Sequence, residues 1–264
     1  MTDKIEIELA NASDAEILAD ISKRAFDSDV EVGAEGPGGP EGYDSVDAHR
    51  RDALNERVDY WKFTFNGQIV GGTRVYKRSK DHYYIYGVFI DPNFHRRGIG
   101  TKTFGLIERK YPDAKMWSLD TPEWNPRTKG FYEKIGFVQT GSLRWVPIFD
   151  LRYFVKITDE EYQIEMVNIS ELGEGMSNVL VEGAVQRVSE VRNITTKDGK
   201  EHRVVDVTLV DNTGSIVLVL WDDFIRQVRM GERIIVDTGY VSSFRGNLQL
   251  NISRNGQLII TEPN

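Results

Sequence analysis

The sequence predicts two domains: an α/β domain with a mixed, mostly antiparallel sheet, and an all-β domain with a five-stranded barrel. Three observations favour this division. The chain has 264 residues, which is long for one domain and sufficient for two. Strand and helix patterns alternate as far as residue 157, whereas from residue 175 nearly all the patterns are strands separated by turn signals. The acidic residues between these regions occur without an intervening Lys or Arg: Asp159, Glu160, Glu161, Glu165, Glu171 and Glu174.

We therefore expect domains at 1–157 and 175–264, joined by an acidic linker at 158–174. A run of like charges is usually solvated, so we interpret the linker as a spacer. The alternative is that its carboxylates compete for a basic surface of the second domain.

The first domain begins with a strand in which Ile5, Ile7 and Leu9 alternate with charged residues. Residues 13–16 (Ser-Asp-Ala-Glu) match a capping box and predict a helix that continues to about Phe26. Residues 27–47 then contain five glycines, two prolines and seven acidic residues, with no Lys or Arg. Such a loop is either a solvated insert or an acidic surface that attracts a cationic molecule.

Strands and helices alternate over the rest of this domain. Asn66-Gly67 is the strongest short hairpin signal, and it predicts an antiparallel pair of strands. The predicted elements are a helix at 45–57, strands at 59–65, 68–77 and 81–91, a helix at 102–111, a strand at 115–120, a helix beginning at Asn125-Pro126, and strands at 137–146 and 149–157.

One stretch between a strand and a helix, residues 95–101 (His-Arg-Arg-Gly-Ile-Gly-Thr), has the features of an anion site, and we call it the phosphate cradle. Gly98 and Gly100 let the main chain turn and let an anion approach it, because they have no Cβ. The first amides of a helix have no intrahelical partner and lie at the positive end of its dipole. Arg96 and Arg97 add charge. Taken alone, the glycine pair fits an ordinary strand-to-helix turn equally well.

The cradle, with the strand before it and the helix after it, resembles the pyrophosphate-binding motif of the GNAT superfamily of acetyltransferases. That motif is Gln or Arg, two residues, Gly, one residue, and Gly or Ala; His95 replaces the first residue without affecting the main-chain amides. Asn125 and residues 131–137 (Phe-Tyr-Glu-Lys-Ile-Gly-Phe) resemble the other half of a GNAT domain. The resemblance covers residues 1 to about 157 and implies that acetyl-CoA donates an acetyl group to an amine.

The resemblance also implies a binding site for acetyl-CoA. Its pantetheine arm would follow the main chain of Val88, Phe89 and Ile90, where two central strands splay apart. An amide near Phe89 would stabilise the charge that develops on the thioester oxygen. The remaining cofactor-binding residues would be His95, Arg96, Arg97, Gly98, Ile99, Gly100, Thr101 and Asn125.

Two catalytic roles follow from the same resemblance. Tyr132 matches the tyrosine that protonates the departing CoA thiolate, and a phenol can do this when it is held within reach of the sulfur. The alternative is that Tyr132 only packs a helix face. The strand that often supplies a glutamate base has Tyr84 and Tyr86 instead. The base therefore stays open, with Asp120 and Glu123 as candidates by position.

The second domain has five strand patterns with a short helix, residues 222–228, after the third, which is the arrangement of an OB barrel. Residues 196–200, 210–216, 220–221 and 239–250 resemble the OB domains of archaeal single-stranded DNA-binding proteins and of replication protein A. The resemblance places Trp221, Tyr240 and Phe244 where those proteins stack bases. The alternatives are that these aromatic residues are core, or that the barrel binds a protein.

Cations are available for phosphates near this face, although the net charge of the chain is -8. Charge averages over regions that face different partners, and the segments around Lys197, Arg203 and Arg245 are locally basic. We expect these three residues to contact single-stranded DNA or RNA.

The composition excludes other classes of protein. The chain has no cysteine, which excludes disulfides and thiolate metal sites, and its four histidines lack the spacing of metal ligands. We therefore expect no metal. The longest aliphatic run, 216–220, is too short to cross a bilayer, so we expect a cytoplasmic protein with no membrane partner. The oligomeric state is not predicted.

The favoured function is an N-acetyltransferase that transfers an acetyl group from acetyl-CoA to a cationic amine while its OB domain binds single-stranded DNA or RNA. The acceptor would be a protein lysine or N-terminus, or an amine associated with nucleic acid. One alternative is a small-molecule acetyltransferase whose OB domain mediates oligomerisation or protein binding. Another is a non-catalytic, CoA-responsive protein that binds nucleic acid.

Overall fold

The computed structural model describes residues 3–145 and 149–261, with the side chains of Trp145, Arg254 and Asn255 left out of that description. Two compact units are present: one contains residues up to 138 together with 154–162, and the other contains 139–153 and the residues from 163 onward. The domain boundaries expected at 157 and 175 stay a prediction, and the end of the strand predicted to reach Val146 lies outside the described residues.

The first unit has the predicted α/β fold with a mixed, mostly antiparallel sheet. Its strands are β1 (Ile5–Leu9), β2 (Asp59–Phe65), β3 (Gln68–Lys77), β4 (His82–Ile90) and β5 (Met116–Pro122), and its helices are α1 (Ala15–Asp27), α2 (Val46–Ala53), α3 (Ile99–Glu108) and α4 (Pro126–Lys134). Strands β1 to β4 are antiparallel neighbours in chain order. Strand β5 runs parallel to β4.

The hairpin between β2 and β3 turns at the predicted dipeptide. Asn66 and Gly67 have φ angles of 50° and 84°, as a type I′ turn requires at both central positions. Side chains that alternate along β2 face opposite sides of the sheet. Phe63 therefore joins the main core with Phe104 and Trp117, whereas Tyr60 packs with Leu18 and Ile21 of α1.

Three helices have boundaries that differ from the prediction. Helix α3 spans Ile99–Glu108 rather than 102–111, because the chain turns at Gly98 and the helix begins directly after it. The capping box is formed by Asn11 and Asp14 rather than by Ser13 and Glu16, because the chain makes a 3-10 turn over Ala12–Asp14 before α1 begins. Helix α2 ends at Ala53 rather than at residue 57, because the side chain of Asn55 accepts a hydrogen bond from the amide of Arg57 and stabilises a turn.

The second unit has the predicted five-stranded barrel. It contains β6 (Val138–Trp145) from residue 139, β7 (Phe149–Ile157) as far as residue 153, and strands β8 (Ser177–Val188), β9 (Arg192–Thr195), β10 (Glu201–Val210), β11 (Ser215–Trp221), β12 (Arg233–Phe244) and β13 (Asn247–Thr261). The pairs β8–β10, β10–β11, β12–β8 and β12–β13 are antiparallel, and the parallel pair β11–β13 closes the ring. A 3-10 turn, Asp222–Gln227, follows the third barrel strand where a short helix is predicted.

The barrel core is aliphatic and includes residues from the predicted linker. Leu209, Leu218 and Ile234 are fully buried in it. Ile169 and Leu172, from the acidic stretch, join the same core, and the amide of Ile169 donates to the carboxylate of Asp211 at 2.8 Å. The first of the five strand patterns in the second domain covers residues 179–196. In the structure it forms two strands, β8 and β9, which are separated at 189–191.

None of the helices formed by residues 3–145 and 149–261 combines the length and the apolar character needed to cross a membrane.

Candidate functional site

A gap opens between two central strands of the first unit. Strand β4 pairs with β5 only over His82–Ile85, opposite Met116–Leu119, and then continues beside β3 alone as far as Ile90. Gly87 has a φ of 64°, a left-handed conformation that glycine adopts without strain. Within the described residues, the main chain of Val88, Phe89 and Ile90 consequently has no ladder partner on the β5 side.

The other side of β4 is closely packed. A Cβ placed on Gly71 of β3 would lie 2.2 Å from the carbonyl oxygen of Phe89, so only glycine allows the two strands to approach this closely. Phe89 is itself buried and packs with Tyr60 of β2. The position of β4 at the gap is thus set from the β3 side.

The phosphate cradle follows β4 and forms the N-terminus of α3. Gly98 has a φ of 72° and is the N-cap residue, so the helix begins at Ile99, inside the cradle. The ring Nε2 of His95 lies 2.9 Å from the carbonyl oxygen of Ile90 and ties the cradle to the end of β4. The Arg97 guanidinium lies 5.3 Å from the centre of the Phe94 ring, a cation–π contact. The predicted anion site therefore has its main-chain amides and a positive charge beside the gap.

Helix α4 packs against the cradle and has Asn125 as its N-cap residue. The Asn125 side chain caps this helix by accepting from the amides of Arg127 and Thr128 at 3.1 and 3.2 Å. A Cβ on Gly100 would lie 3.0 Å from the Phe131 ring, so the start of α3 lies against the middle of α4. The role that the structure describes for Asn125 is to cap α4; its contact with acetyl-CoA stays a prediction.

Tyr132 of α4 is buried among the Phe104, Phe137 and Phe154 rings. Its hydroxyl makes no hydrogen bond within the described part of the chain. Burial, followed by the negative charges of Asp120 and Asp29, raises the pKa of Tyr132 above its ordinary value. The phenol therefore stays protonated, as a proton donor must.

Asp120 lies beside the tyrosines of β4. The Tyr84 hydroxyl donates a hydrogen bond to Asp120 Oδ2. Burial and the Asp120 charge raise the pKa of Tyr84, and the same causes raise the pKa of Tyr86 to about 12. Glu123, the other candidate base, is exposed. The structure brings Asp120 together with the strand position at which the family often has its base.

An acidic residue that the sequence analysis did not single out lies at the start of α4. Asp29, from the 27–47 loop, forms an ion pair with Arg127. Burial raises the pKa of Asp29, although Arg127 and Asn125 oppose the change. Arg127 and Asp29 are 98 residues apart, and no local pattern in the sequence indicates this contact.

The predicted stacking residues of the barrel lie on its outer surface. Trp221, Tyr240 and Phe244 are 38%, 41% and 56% exposed, which contradicts the alternative that they are core. Trp221 and Tyr240 line one cavity of about 190 Å³, together with Val219, Phe224, Asn251 and Ile252. Phe244 lies beyond it, beside the turn formed by Arg245 and Gly246, whose φ angles are 53° and 79°.

The three predicted cations lie on separate elements. Lys197 is in the turn between β9 and β10, Arg203 is on β10, and the Arg245 guanidinium lies 5.2 Å from the centre of the Phe244 ring. None of them forms an ion pair with another described residue, so their charges are available to phosphates. Only Arg245 directly contacts a predicted stacking residue.

A histidine missed by the sequence analysis contacts Trp221. The His202 ring packs edge to face on Trp221, with 5.8 Å between ring centres. Its Nδ1 lies 2.6 Å from Asp222 Oδ2, and Asp222 Oδ1 also accepts from the amide of Arg203. The hydrogen bond with His202 lowers the pKa of Asp222. This arrangement holds one wall of the cavity in place.

Comparisons with known proteins match both units. Residues 26–137 match the model of the acetyltransferase (GNAT) family, and residues 176–260 match that of single-stranded DNA binding protein Ssb-like, OB fold. YrkN, an uncharacterized protein of Bacillus subtilis, is 35% identical over 74 residues, which cover 27% of this chain and 40% of YrkN.

The single-stranded DNA binding protein Ssb of Saccharolobus solfataricus is 31% identical over 84 residues, which cover 31% of this chain and 55% of that protein. The chain thus spans only about half of Ssb, and less of YrkN. The PaiA N-acetyltransferase of Thermoplasma acidophilum, crystallised with coenzyme A, is 15% identical with a TM-score of 0.48, over 58% of this chain and 99% of that chain. From the two family matches, the chain has an N-terminal GNAT acetyltransferase domain followed by an Ssb-like OB-fold domain.

Proposed function

We propose that this protein transfers an acetyl group from acetyl-CoA to a cationic amine while its OB domain binds single-stranded DNA or RNA. The observation that supports the transfer best is the separation of β4 from β5 after Ile85, with the phosphate cradle immediately beyond it. The first domain, 1–157, would perform the chemistry, and the second, 175–264, would bind nucleic acid.

Acetyl-CoA would bind along the gap. Its pyrophosphate would accept hydrogen bonds from the amides of residues 96–101, at the positive end of α3. The amides of Val88 and Ile90 are free of a β5 partner in the described chain and could pair with the pantetheine arm. A main-chain amide near Phe89, on the side of β4 that faces the gap, is the proposed donor to the thioester oxygen as that oxygen gains negative charge.

The chemistry requires two proton transfers. The acceptor nitrogen attacks the thioester carbonyl carbon, the carbon–sulfur bond breaks, and the thiolate takes a proton from Tyr132. The acceptor amine must lose a proton, because its pKa of about 10 keeps it protonated at neutral pH. We assign this proton to Asp120, which receives it through the Tyr84 hydroxyl that already donates to it.

The charge of the 27–47 loop supports a cationic acceptor. Glu31, Glu35, Glu41 and Asp44 are exposed on this loop, whereas Asp29 is paired with Arg127. An exposed acidic surface next to a transfer site raises the local concentration of cations. A lysine side chain, a protein N-terminus or a small polyamine meets this requirement.

The outer face of the barrel supports the binding of single strands. Stacking on an aromatic side chain contributes about 1–3 kcal/mol per base and tolerates any sequence. Two exposed aromatic residues border one cavity, and a third lies beside the unpaired Arg245. Exposed aromatic rings with unpaired cations suit nucleic acid better than an apolar protein partner.

One experiment tests both activities. Purified protein is incubated with labelled acetyl-CoA and cell extract, with and without nuclease, and mass spectrometry identifies the acetylated products. We expect protein-lysine or N-terminal products that decrease after nuclease treatment. Nuclease-independent acetylation of small amines alone would favour the small-molecule enzyme. Coenzyme A binding without any product would favour the non-catalytic alternative.

A further inference from the structure

The cavity between Trp221 and Tyr240 has a polar group in its wall, the amide of Asn251. Asn251 lies on β13, opposite Tyr240 on β12 and beside Val219 on β11. Because side chains alternate along a strand, and Leu250 is fully buried in the core, Asn251 faces away from the core. An amide thus lies between two aromatic walls.

Hydrogen bonds fix the orientation of this amide. Asn251 Nδ2 donates to Ser242 Oγ at 2.9 Å and to the carbonyl oxygen of Gln249 at 3.2 Å. A main-chain carbonyl can only accept, so the NH₂ group must face Gln249. Both N–H groups are then used, whereas Oδ1 makes no hydrogen bond with any residue that the structure describes. The Asn251 side chain therefore presents one hydrogen-bond acceptor, Oδ1, to the cavity and no amide donor.

We propose that Asn251 Oδ1 recognises the edge of a base in this cavity by accepting a hydrogen bond from its exocyclic amino group. This inference rests on the proposed binding of single-stranded nucleic acid. Adenine and cytosine each have such an amino group, at N6 and N4, whereas thymine has a carbonyl oxygen, O4, at the position of the cytosine amine. Two facing acceptors cannot share a proton. Thymine and uracil would have to shift and present their ring N3–H to Oδ1, so they are disfavoured at this position.

The cavity walls fit a base better than an amino-acid side chain. Its volume of about 190 Å³ accommodates one planar ring. Trp221 supplies an aromatic wall that His202 and Asp222 hold in place. Stacking would bind any base, and the Asn251 acceptor would then distinguish among bases, because stacking and edge recognition use different parts of the ring.

The first test changes only the ligand. Full-length protein is titrated with fluorescent single-stranded oligonucleotides that are identical except at one position, which is adenine or its analogue purine, which lacks the amino group. We expect the adenine oligonucleotide to bind about two- to tenfold more tightly, the range of one hydrogen bond. Cytosine should bind more tightly than thymine by a similar factor. Equal affinities within each pair would overturn the inference.

The second test changes the protein. Asn251→Leu keeps a side chain of similar size and removes the acceptor, so the difference between adenine and purine should disappear while the affinity for purine changes little. Trp221→Ala is the matched control, because it should weaken binding to both oligonucleotides by the same factor. A preference for adenine that persists in Asn251→Leu would overturn the inference.

The ligand comparison and the affinity of the wild-type protein distinguish failure of this inference from failure of a variant to fold or of the proposed function. The ligand comparison uses unmodified protein, so it is informative even when a variant folds poorly. Wild-type protein that binds no oligonucleotide would overturn the proposed nucleic-acid function and this inference with it. Wild-type protein that binds with a normal salt dependence but does not discriminate between the paired bases would overturn only the role of Asn251.

Discussion

The hydroxyl of Tyr84 donates a hydrogen bond to Oδ2 of Asp120 across the parallel strands β4 and β5. The two residues therefore share one proton path. In the proposed reaction, neither residue can transfer the acceptor's proton without the other.

The first prediction concerns this pair. Asp120→Asn and Tyr84→Phe should each lower kcat by about 10²- to 10⁴-fold, the usual contribution of a general base. The double variant should be no slower than the slower single variant, because each change interrupts the same path. Steady-state kinetics with Glu123→Gln as the exposed control measure this. Independent, multiplicative losses would contradict the shared path.

Tyr132→Phe should lower kcat and leave the affinity for coenzyme A within about twofold of wild type, since the lost hydroxyl acts after binding. Burial raises the pKa of Tyr132, so the wild-type rate should not decline near pH 10 through loss of this proton. Calorimetry measures the binding and a pH–rate profile measures the chemistry. An unchanged kcat would favour a packing role for Tyr132.

Gly98→Ala should destabilise the first domain and weaken coenzyme A binding. The φ of 72° at Gly98 costs an L-residue about 1–2 kcal/mol, although a Cβ there would meet no atom within 4 Å. Gly105→Ala is the matched control on the same helix, because its Cβ also meets nothing within 4 Å. An alanine in the helix interior should add about 0.5–1 kcal/mol of stability. Thermal melting measures the stability of the two variants, and titration measures their affinity for coenzyme A. Equal stability and equal affinity in the two variants would contradict the prediction.

A buried histidine makes stability depend on pH. His49 has no exposed surface, and its Nδ1 and Nε2 lie 2.6 Å from Tyr60 Oη and 3.0 Å from the carbonyl oxygen of Tyr43. That carbonyl can only accept, so Nε2 has the proton and Nδ1 accepts from Tyr60. Burial, followed by the positive charge of Arg74, lowers the pKa of His49 from 6.5 to about 4.

The unfolded chain therefore binds a proton at His49 over a range in which the folded chain does not. Lowering the pH from about 6.5 to 4 should reduce the free energy of unfolding by up to about 3 kcal/mol from this group, with no further loss below pH 4. Urea denaturation across this range measures the slope. His49→Gln, which does not titrate, should have a flatter profile; an equally steep one would assign the effect to other groups.

Oligonucleotide binding should separate stacking from charge. Trp221→Ala should weaken binding by about 1–3 kcal/mol at every salt concentration. Arg245→Ala should reduce the slope of log affinity against log salt by about one ion, because one phosphate contact is lost. Fluorescence titrations at several salt concentrations measure both effects. A slope unaffected by Arg245→Ala would place the strand elsewhere on the barrel.

Sequence patterns predict the features of this protein whose conformation is set by residues close together in the chain. Asn66-Gly67 specifies its hairpin through two left-handed residues, and Asn125-Pro126 marks a helix start through local capping. The sequence misplaces the capping box that precedes α1, because Asn11 and Ser13 have equivalent local chemistry and only the fold selects between them. Trp221 and Tyr240 were predicted because they belong to recognisable motifs.

Contacts between residues that are far apart in the sequence cannot be predicted from such local patterns. Asp29 and Arg127 pair because a loop folds back on α4, and each resembles an ordinary surface charge in the sequence. Asn251 is a polar residue at an outward position of a strand, a very common pattern. Its interest depends on the aromatic walls supplied by two other strands, and a single sequence does not specify that arrangement.

The parallel pairing that closes the barrel has a consequence for how the protein is made. Val217 of β11 pairs with Gln249 of β13, 32 residues further along the chain, whereas β12 and β13 join through a tight turn. Contacts over long sequence separations form later than local hairpins, because more chain entropy is lost before any contact forms. The wall that joins Val219 to Asn251 is therefore completed late, so a nascent chain gains the surface proposed to bind oligonucleotides only after β13 has left the ribosome.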